Sequence, residues 1–170
     1  MSDSTADLAA EVHRALLARG ATIAVAESLT GGLLGGALTD LAGSSSTFRG
    51  GVVAYATELK ASLLGVDPDL LRRHGPVHPD VAAAMARGVA LRLQSTFGLA
   101  TTGVAGPGAP EGRASGEVYV ALAGPGVRGD GCSVLSLRLD GGRDDVRREA
   151  VRRALALAAE ELARDGNAQG

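Results

Sequence analysis

The amino-acid sequence predicts an α/β fold: a three-layer α/β/α sandwich around a mixed, mostly parallel sheet of about five strands. Short apolar or β-branched runs alternate with longer segments whose apolar residues recur at helical spacing. This alternation is typical of parallel strands joined by crossover helices. Two further strand-like runs flank Gly124-Pro125-Gly126, which indicates a hairpin and therefore one antiparallel strand.

The amino-terminal half begins with an amphipathic helix that Ser4 or Thr5 caps and Gly20 ends. The run TIAVA that follows is short and β-branched, which predicts a strand. The predicted elements of this half are a helix over 7–19, a strand over 22–26, a turn over 27–32 that opens a helix to about 41, a strand over 51–56 and a short helix that carries Lys60.

The carboxyl-terminal half contains two Gly/Pro-rich loops, over 74–79 and 103–116, which separate regular elements. Apolar residues recur at helical spacing between these loops, over 80–94, and again after them, over 143–164. The predicted elements are helices over about 67–74, 80–94 and 143–164 and strands over 97–102, 117–123 and 132–139.

Length and composition predict one domain over 1–170, with an ordered core of about 5–164. The net charge of −2 argues against nucleic acid as a partner, and no apolar run reaches the ~20 residues of a membrane span. We expect no bound metal, because Cys132 is alone and the three histidines lack a ligand spacing. We expect no other cofactor, because no G-x-G-x-x-G motif of a dinucleotide site follows the first strand. The first residues do not resemble a secretion signal, so we expect a cytoplasmic protein.

Lys60 is the only lysine among 17 basic residues. The chain otherwise uses arginine, which keeps its proton near neutral pH, whereas a buried lysine can lose it. Two interpretations stay open at this point: a lysine left over on a helix face, or an amine that is needed in its neutral form.

Polar or glycine-rich residues follow each of the first three predicted strands, at Ser28, at Tyr55 and at Thr102-Gly103. Ligands of open α/β sheets gather at the carboxyl ends of strands, so these three loops are expected to meet in one cleft. Thr30-Gly31-Gly32 opens a helix and predicts either an anion seat or simple capping. The arginines of the last helix suggest a solvated face, except Arg143 at its start, which could reach a substrate.

Ser45, Tyr55 and Lys60 are the catalytic candidates. A serine hydroxyl needs a base to take its proton, and a lysine with a lowered pKa can serve as that base. The backbone N–H groups of the 43–46 turn could bind an oxyanion. Whether Ser28 is attacked instead of Ser45 stays open.

Four stretches of the sequence form a recognisable set: AESLTGG (26–32), the stretch 39–66, HGPVHPDVA (74–82) and TGVAGP (102–107). Through them the chain resembles, over roughly 8–162, the CinA C-terminal domain family, which includes stand-alone nicotinamide-nucleotide amidases. It implies a three-layer sandwich, a homodimer, and hydrolysis of nicotinamide mononucleotide to nicotinic acid mononucleotide and ammonia.

The resemblance also implies roles for individual residues. Ser45 resembles the nucleophile, Lys60 its base and Tyr55 the family's site tyrosine. The residues that would bind the nucleotide are Ser28, Thr30, Gly31, Gly32, Thr102 and Gly106, with Arg113 as a possible source of charge.

Three positions depart from the family pattern. Leu29 replaces a usual cysteine, His78 replaces a usual serine, and the 103–116 loop lacks the usual acidic residue and basic–proline pair. Two alternatives therefore stand beside the amidase: a nucleotide-binding or partner-docking module without turnover, and a hydrolase of a related amide.

Overall fold

A computed structural model describes residues 4–108 and 112–166. Within these residues the helices are α1 (Thr5–Ala18), α2 (Leu33–Thr39), α3 (Thr57–Leu64), α4 (Pro68–His74), α5 (Pro79–Leu93), α6 (Arg128–Gly131) and α7 (Arg143–Gly166). The strands are β1 (Ile23–Glu27), β2 (Phe48–Val53), β3 (Phe97–Gly103), β4 (Glu117–Ala123) and β5 (Cys132–Arg138).

The strands form one sheet in the order β2-β1-β3-β4-β5. β1 pairs in parallel with both β2 and β3. β4 runs antiparallel to β3 on one side and to β5 on the other. Four of the five strands in the described part of the chain therefore point the same way, which confirms the predicted mixed, mostly parallel sheet.

Helices cover both faces of the sheet and complete the predicted three layers. On one face, α1, α2 and α7 bury a cluster that includes Leu16, Leu34 and Leu155. On the other face, α3, α4 and α5 bury a second cluster that includes Leu64 and Met85. Each large aliphatic side chain that is fully buried contributes about 2 kcal/mol of transfer free energy to folding.

The order of the strands places a ligand crevice beside β1. The chain leaves β1 through α2 on one face to reach β2, and it returns through α3, α4 and α5 on the other face to reach β3. The connections thus run in opposite directions from β1, and such a reversal opens a crevice at the carboxyl ends of the strands.

The second strand begins three residues earlier than predicted, at Phe48 instead of Gly51. It is an edge strand whose residues alternate between half-buried and exposed, so its apolar pattern is weak. Phe48 lies opposite Ile23, and Gly51 packs so closely on β1 that a Cβ there would lie 2.6 Å from Val25. The strand ends at Val53, before Tyr55.

No helix within 4–108 or 112–166 is long and apolar enough to span a membrane.

Candidate active site

A cleft of about 220 Å³ lies at the carboxyl ends of β1, β2 and β3. The three strand-end loops that the sequence singled out all contribute to it, through Ser28, Tyr55 and Gly103. The other lining residues within the described part of the chain are Leu29, Thr57, Lys60, Pro76, Val77, Thr102, Val104, Ala105, Gly106, Pro107, Gly108, Arg113 and Arg143.

Ser28 and Lys60 meet at the floor of this cleft. Lys60 Nζ donates a hydrogen bond to Ser28 Oγ at 3.1 Å and another to the backbone carbonyl oxygen of Ala54 at 2.7 Å. Ser28 follows β1 directly, while Lys60 lies on the second turn of α3. Ser28 follows β1, and the helix that carries Lys60 follows β2. Because β1 and β2 are neighbouring parallel strands, residues that follow their carboxyl ends come together.

Lys60 is held in an environment that favours its neutral form. Its side chain is among the largest in the core, with an exposure of only 1%. Burial lowers the pKa of Lys60 from 10.5 to about 8, and the exposed Glu58 carboxylate opposes this shift. A neutral amine in this position can keep its hydrogen bond to Ala54 and use its lone pair to accept the Ser28 hydroxyl proton.

Arg143 connects two walls of the cleft from the first residue of α7. Its guanidinium donates to the carbonyl oxygen of Gly106 at 2.9 Å and to the Tyr55 hydroxyl at 3.0 Å. Gly106 has a φ of +87°, and a Cβ there would lie 2.2 Å from Ser115 Oγ, so only glycine fits this turn. Thr102, at the end of β3, donates its hydroxyl to the carbonyl of Pro76 and closes the adjacent wall.

Arg113 lines the cleft and is anchored by two contacts. It donates to the buried Glu117 carboxylate at 3.2 Å and to the carbonyl oxygen of His74 at 3.0 Å. Tyr119 and Arg138 also bind this carboxylate, and together with Arg113 they hold the pKa of Glu117 low against the opposing effect of burial. Every charged side chain among the described lining residues is a cation, although the whole chain carries a charge of −2.

The structure does not bring Ser45 to Lys60. Ser45 is exposed in a 3-10 turn (Ser44–Ser46) that precedes β2, whereas Lys60 follows β2. The six residues of β2 separate the two ends by about 20 Å of strand. The expected Ser45–Lys60 pair is therefore corrected to Ser28–Lys60.

The expected oxyanion donors of the 43–46 turn lie at that same distant end. Two of them are used by the backbone itself, since the Ser44 N–H donates to Leu41 and the Ser46 N–H donates to Gly43.

The expected anion seat at the start of α2 is filled by the chain itself. The Glu27 carboxylate accepts backbone N–H groups of Gly32 at 3.2 Å, of Leu34 at 2.9 Å and of Gly35 at 3.1 Å. Because these donors are taken by a buried carboxylate, they are not available to a substrate anion. The phosphate or carboxylate seat expected at this helix start is therefore corrected to an internal cap.

Thr30, Gly31 and Gly32 do not line the cleft, which corrects their expected place in the pocket. Thr30 is fully buried, and its hydroxyl shares a hydrogen bond of 2.8 Å with the hydroxyl of Thr101. Gly32 borders a separate groove of about 700 Å³ that α2 and α7 line, together with Thr5 of α1. This groove is larger than the cleft, but it does not contain the serine–lysine pair.

Two residues with clear contacts to the Ser28 turn were not predicted. One is Glu27, described above. The other is Arg147, whose guanidinium donates to the carbonyl oxygens of Leu29 at 2.9 Å and of Thr30 at 3.3 Å. The arginine-rich pattern of α7 suggested a solvated face, and only the i, i+4 spacing from Arg143 could have singled Arg147 out.

No group of three or more histidine, cysteine, aspartate or glutamate side chains that could hold a metal ion occurs within the described ranges. His74 and His78 stack on each other, with ring centroids 4.2 Å apart. His78 Nδ1 accepts the backbone N–H of Asp80 at the start of α5. The second histidine thus acts as a helix cap.

The fold and the cleft define a three-layer α/β protein with a serine–lysine pair at a strand-end crevice. The sequence model of the CinA C-terminal domain family matches residues 5–162 of the chain. The chain belongs to this family.

Sequence relatives include a CinA-like protein of Frankia casuarinae, 55% identical over 148 residues, which are 87% of this chain and 33% of the relative. A CinA-like protein of Gloeobacter violaceus is 49% identical over 92% of this chain and 37% of its own length. The chain thus spans about a third of the length of these relatives.

Solved structures resemble the chain over nearly their whole length. A CinA superfamily protein from Klebsiella pneumoniae has a TM-score of 0.89 at 32% identity and covers 95% of this chain and 99% of its own. The competence/damage inducible protein CihA from Agrobacterium tumefaciens has a TM-score of 0.86 at 34% identity, with coverage of 95% and 99%. These likenesses agree with the fold and the family membership.

Proposed function

We propose that the chain is an amide hydrolase in which Ser28 is the nucleophile and Lys60 is its base. One observation carries the proposal: Ser28 Oγ lies 3.1 Å from the amine of a buried lysine whose pKa is lowered to about 8, in an open cleft. A serine next to such an amine is the arrangement that nucleophilic catalysis requires.

In the proposed first step, the neutral Lys60 amine takes the Ser28 proton while Ser28 Oγ attacks the carbonyl carbon of the substrate amide. The C–N bond then breaks, and the protonated Lys60 returns the proton to the leaving nitrogen, which departs as ammonia. A water molecule, deprotonated by Lys60, attacks the resulting ester, releases the carboxylic acid and restores Ser28. The net reaction consumes one water for each amide bond.

The proposed substrate is nicotinamide mononucleotide, converted to nicotinic acid mononucleotide. The family resemblance suggests this substrate, and the cleft supports an anion of this kind because Arg113 and Arg143 both line it. Guanidinium groups are well suited to phosphate. Leu29, Val77 and Val104 also line the cleft and add apolar surface suited to a flat ring.

The experiment compares ammonia release from nicotinamide mononucleotide, from nicotinamide riboside and from nicotinamide. We expect turnover of the mononucleotide, with a kcat/KM at least about 100-fold above that of the riboside, because the riboside lacks the phosphate. Mass spectrometry identifies the acid product.

Tight binding of the mononucleotide without turnover would instead favour a binding module. Turnover of another amide alone would favour a hydrolase of different specificity, and failure to bind or cleave any of these compounds would overturn the proposed substrate.

A further inference from the structure

Glu27, the residue before Ser28, fixes one side of the turn that carries this serine. The Glu27 side chain is 2% exposed and accepts three backbone N–H groups from the start of α2. The backbone of Glu27 also belongs to β1 and accepts the N–H of Ala54 at 2.9 Å. The residue before Ser28 is therefore held by both its side chain and its main chain.

The same turn is fixed on the following side by one residue of α7. Arg147 Nε donates to the Leu29 carbonyl oxygen and Nη2 to the Thr30 carbonyl oxygen, at 2.9 and 3.3 Å. Gly31 makes room for this contact, because a Cβ there would lie 3.3 Å from the guanidinium. The guanidinium thus reaches across 118 residues of sequence to hold the carbonyl groups of the first two residues after Ser28.

We propose that Arg147 is a positioning residue that keeps Ser28 Oγ aimed at Lys60 and at the cleft. Arg147 does not line the cleft, so it acts through the backbone of Leu29 and Thr30 rather than on the substrate. Loss of this contact removes the side-chain anchor of the Leu29 and Thr30 carbonyl groups, although the Leu33 N–H still donates to Thr30, and lets the Ser28 side chain rotate away from Lys60. A displacement of about 1 Å at a reacting atom can lower a rate by about 100-fold.

Positioning by Arg147 is distinct from the electrostatics of Lys60. Burial lowers the pKa of Lys60 and the Glu58 carboxylate opposes this shift, so we expect removal of the Arg147 charge to leave the Lys60 titration unchanged. The proposal rests on the proposed role of Ser28 as nucleophile, but not on the identity of the substrate.

The test uses Arg147→Gln and Arg147→Lys, with Arg148→Gln as the matched control because Arg148 is the next residue of the same helix and is exposed. The first readout is modification of Ser28 by phenylmethanesulfonyl fluoride, followed by mass spectrometry. In this reaction the Ser28 Oγ–sulfur bond forms, fluoride leaves and Lys60 accepts the hydroxyl proton. Ser28→Ala defines the background.

We expect Arg147→Gln to slow this modification about 10- to 100-fold and Arg147→Lys to slow it less, since lysine keeps one donor. The control keeps the wild-type rate. Wherever substrate turnover is measurable, kcat falls in parallel while KM stays within about threefold and the midpoint of the pH–rate profile does not move.

An unchanged modification rate in folded Arg147→Gln would overturn the proposal, as would a rise of KM with constant kcat or a shifted pH midpoint. If Arg147→Gln does not fold, Arg147→Lys decides in the same way. Wild-type protein that modifies at Ser28 but releases no ammonia from the mononucleotide would refute the proposed substrate alone, and the comparison of variants would still test Arg147.

Discussion

Two serine-bearing turns lie at opposite ends of the same pair of strands. Ser28 follows the carboxyl end of β1 and lines the cleft, while Ser45 precedes the amino end of β2 and is exposed. Ser45 is closer to Lys60 in sequence, by 15 residues against 32. Distance along the chain therefore does not identify the serine that contacts Lys60.

The difference lies in the direction of the strands. In a parallel pair, the residues that follow two neighbouring strands share one edge of the sheet, and the residues that precede them share the other. Ser28 and Lys60 both follow a strand, whereas Ser45 precedes one.

The contrast predicts that Ser28→Ala abolishes the proposed hydrolysis while Ser45→Ala does not affect it. Loss of a nucleophile lowers kcat by about 1,000-fold or more, whereas removal of an exposed hydroxyl should change it less than about twofold. Steady-state ammonia release measures both. A large loss in Ser45→Ala with normal activity in Ser28→Ala would reverse the assignment.

The pH–rate profile tests the base. Only neutral Lys60 can accept a proton, so kcat/KM should rise about tenfold per pH unit below about 8 and level off above it. The Glu58 carboxylate raises the Lys60 pKa, so Glu58→Gln should move the midpoint to lower pH. A flat profile between about pH 6 and 9 would contradict a role for Lys60 as base.

The same titration should appear in stability. The pKa of Lys60 is lowered on folding from 10.5 to about 8, so between these values the unfolded chain binds more protons and stability rises with pH. The free energy of unfolding of the wild type, relative to Lys60→Met, should rise by about 2 kcal/mol between about pH 7.5 and 9.5. Urea denaturation at both pH values measures it, and an unchanged difference would contradict a pKa near 8.

The smallest expected effect concerns Thr30, which the sequence suggested as a substrate-binding residue. Thr30→Val removes its hydrogen bond to Thr101 and should lower the free energy of unfolding by about 1–2 kcal/mol. KM should stay within about threefold, because Thr30 is not part of the cleft. A tenfold rise in KM with unchanged stability would restore the original expectation.

The fold was predictable because its signals are local. Alternating helical and strand patterns predicted the three layers, and Gly124-Pro125-Gly126 predicted the reversal of β4. The bounds of β2 were not predictable, because an edge strand with Gly50 and Gly51 has a weak apolar pattern.

The site was predictable only in part. Composition alone drew attention to Lys60, and the strand-end rule drew attention to Ser28, Tyr55 and Thr102. The contacts of Glu27 and Arg147 were not predictable, because each depends on which backbone groups the folded chain presents to that side chain. A buried carboxylate at a helix start has no signature in the sequence near it, and for the guanidinium on two carbonyls only the i, i+4 spacing from Arg143 offers one.

The single buried lysine has a consequence for spectroscopy. A sample labelled with ¹⁵N only at lysine contains one side-chain amine, so its NMR spectrum should show one Nζ signal. The pH dependence of that one chemical shift reports the protonation of Lys60 directly, without a substrate and without assignment of any other resonance. The feature that makes Lys60 conspicuous in the sequence thus makes the base of the proposed reaction observable in the resting protein.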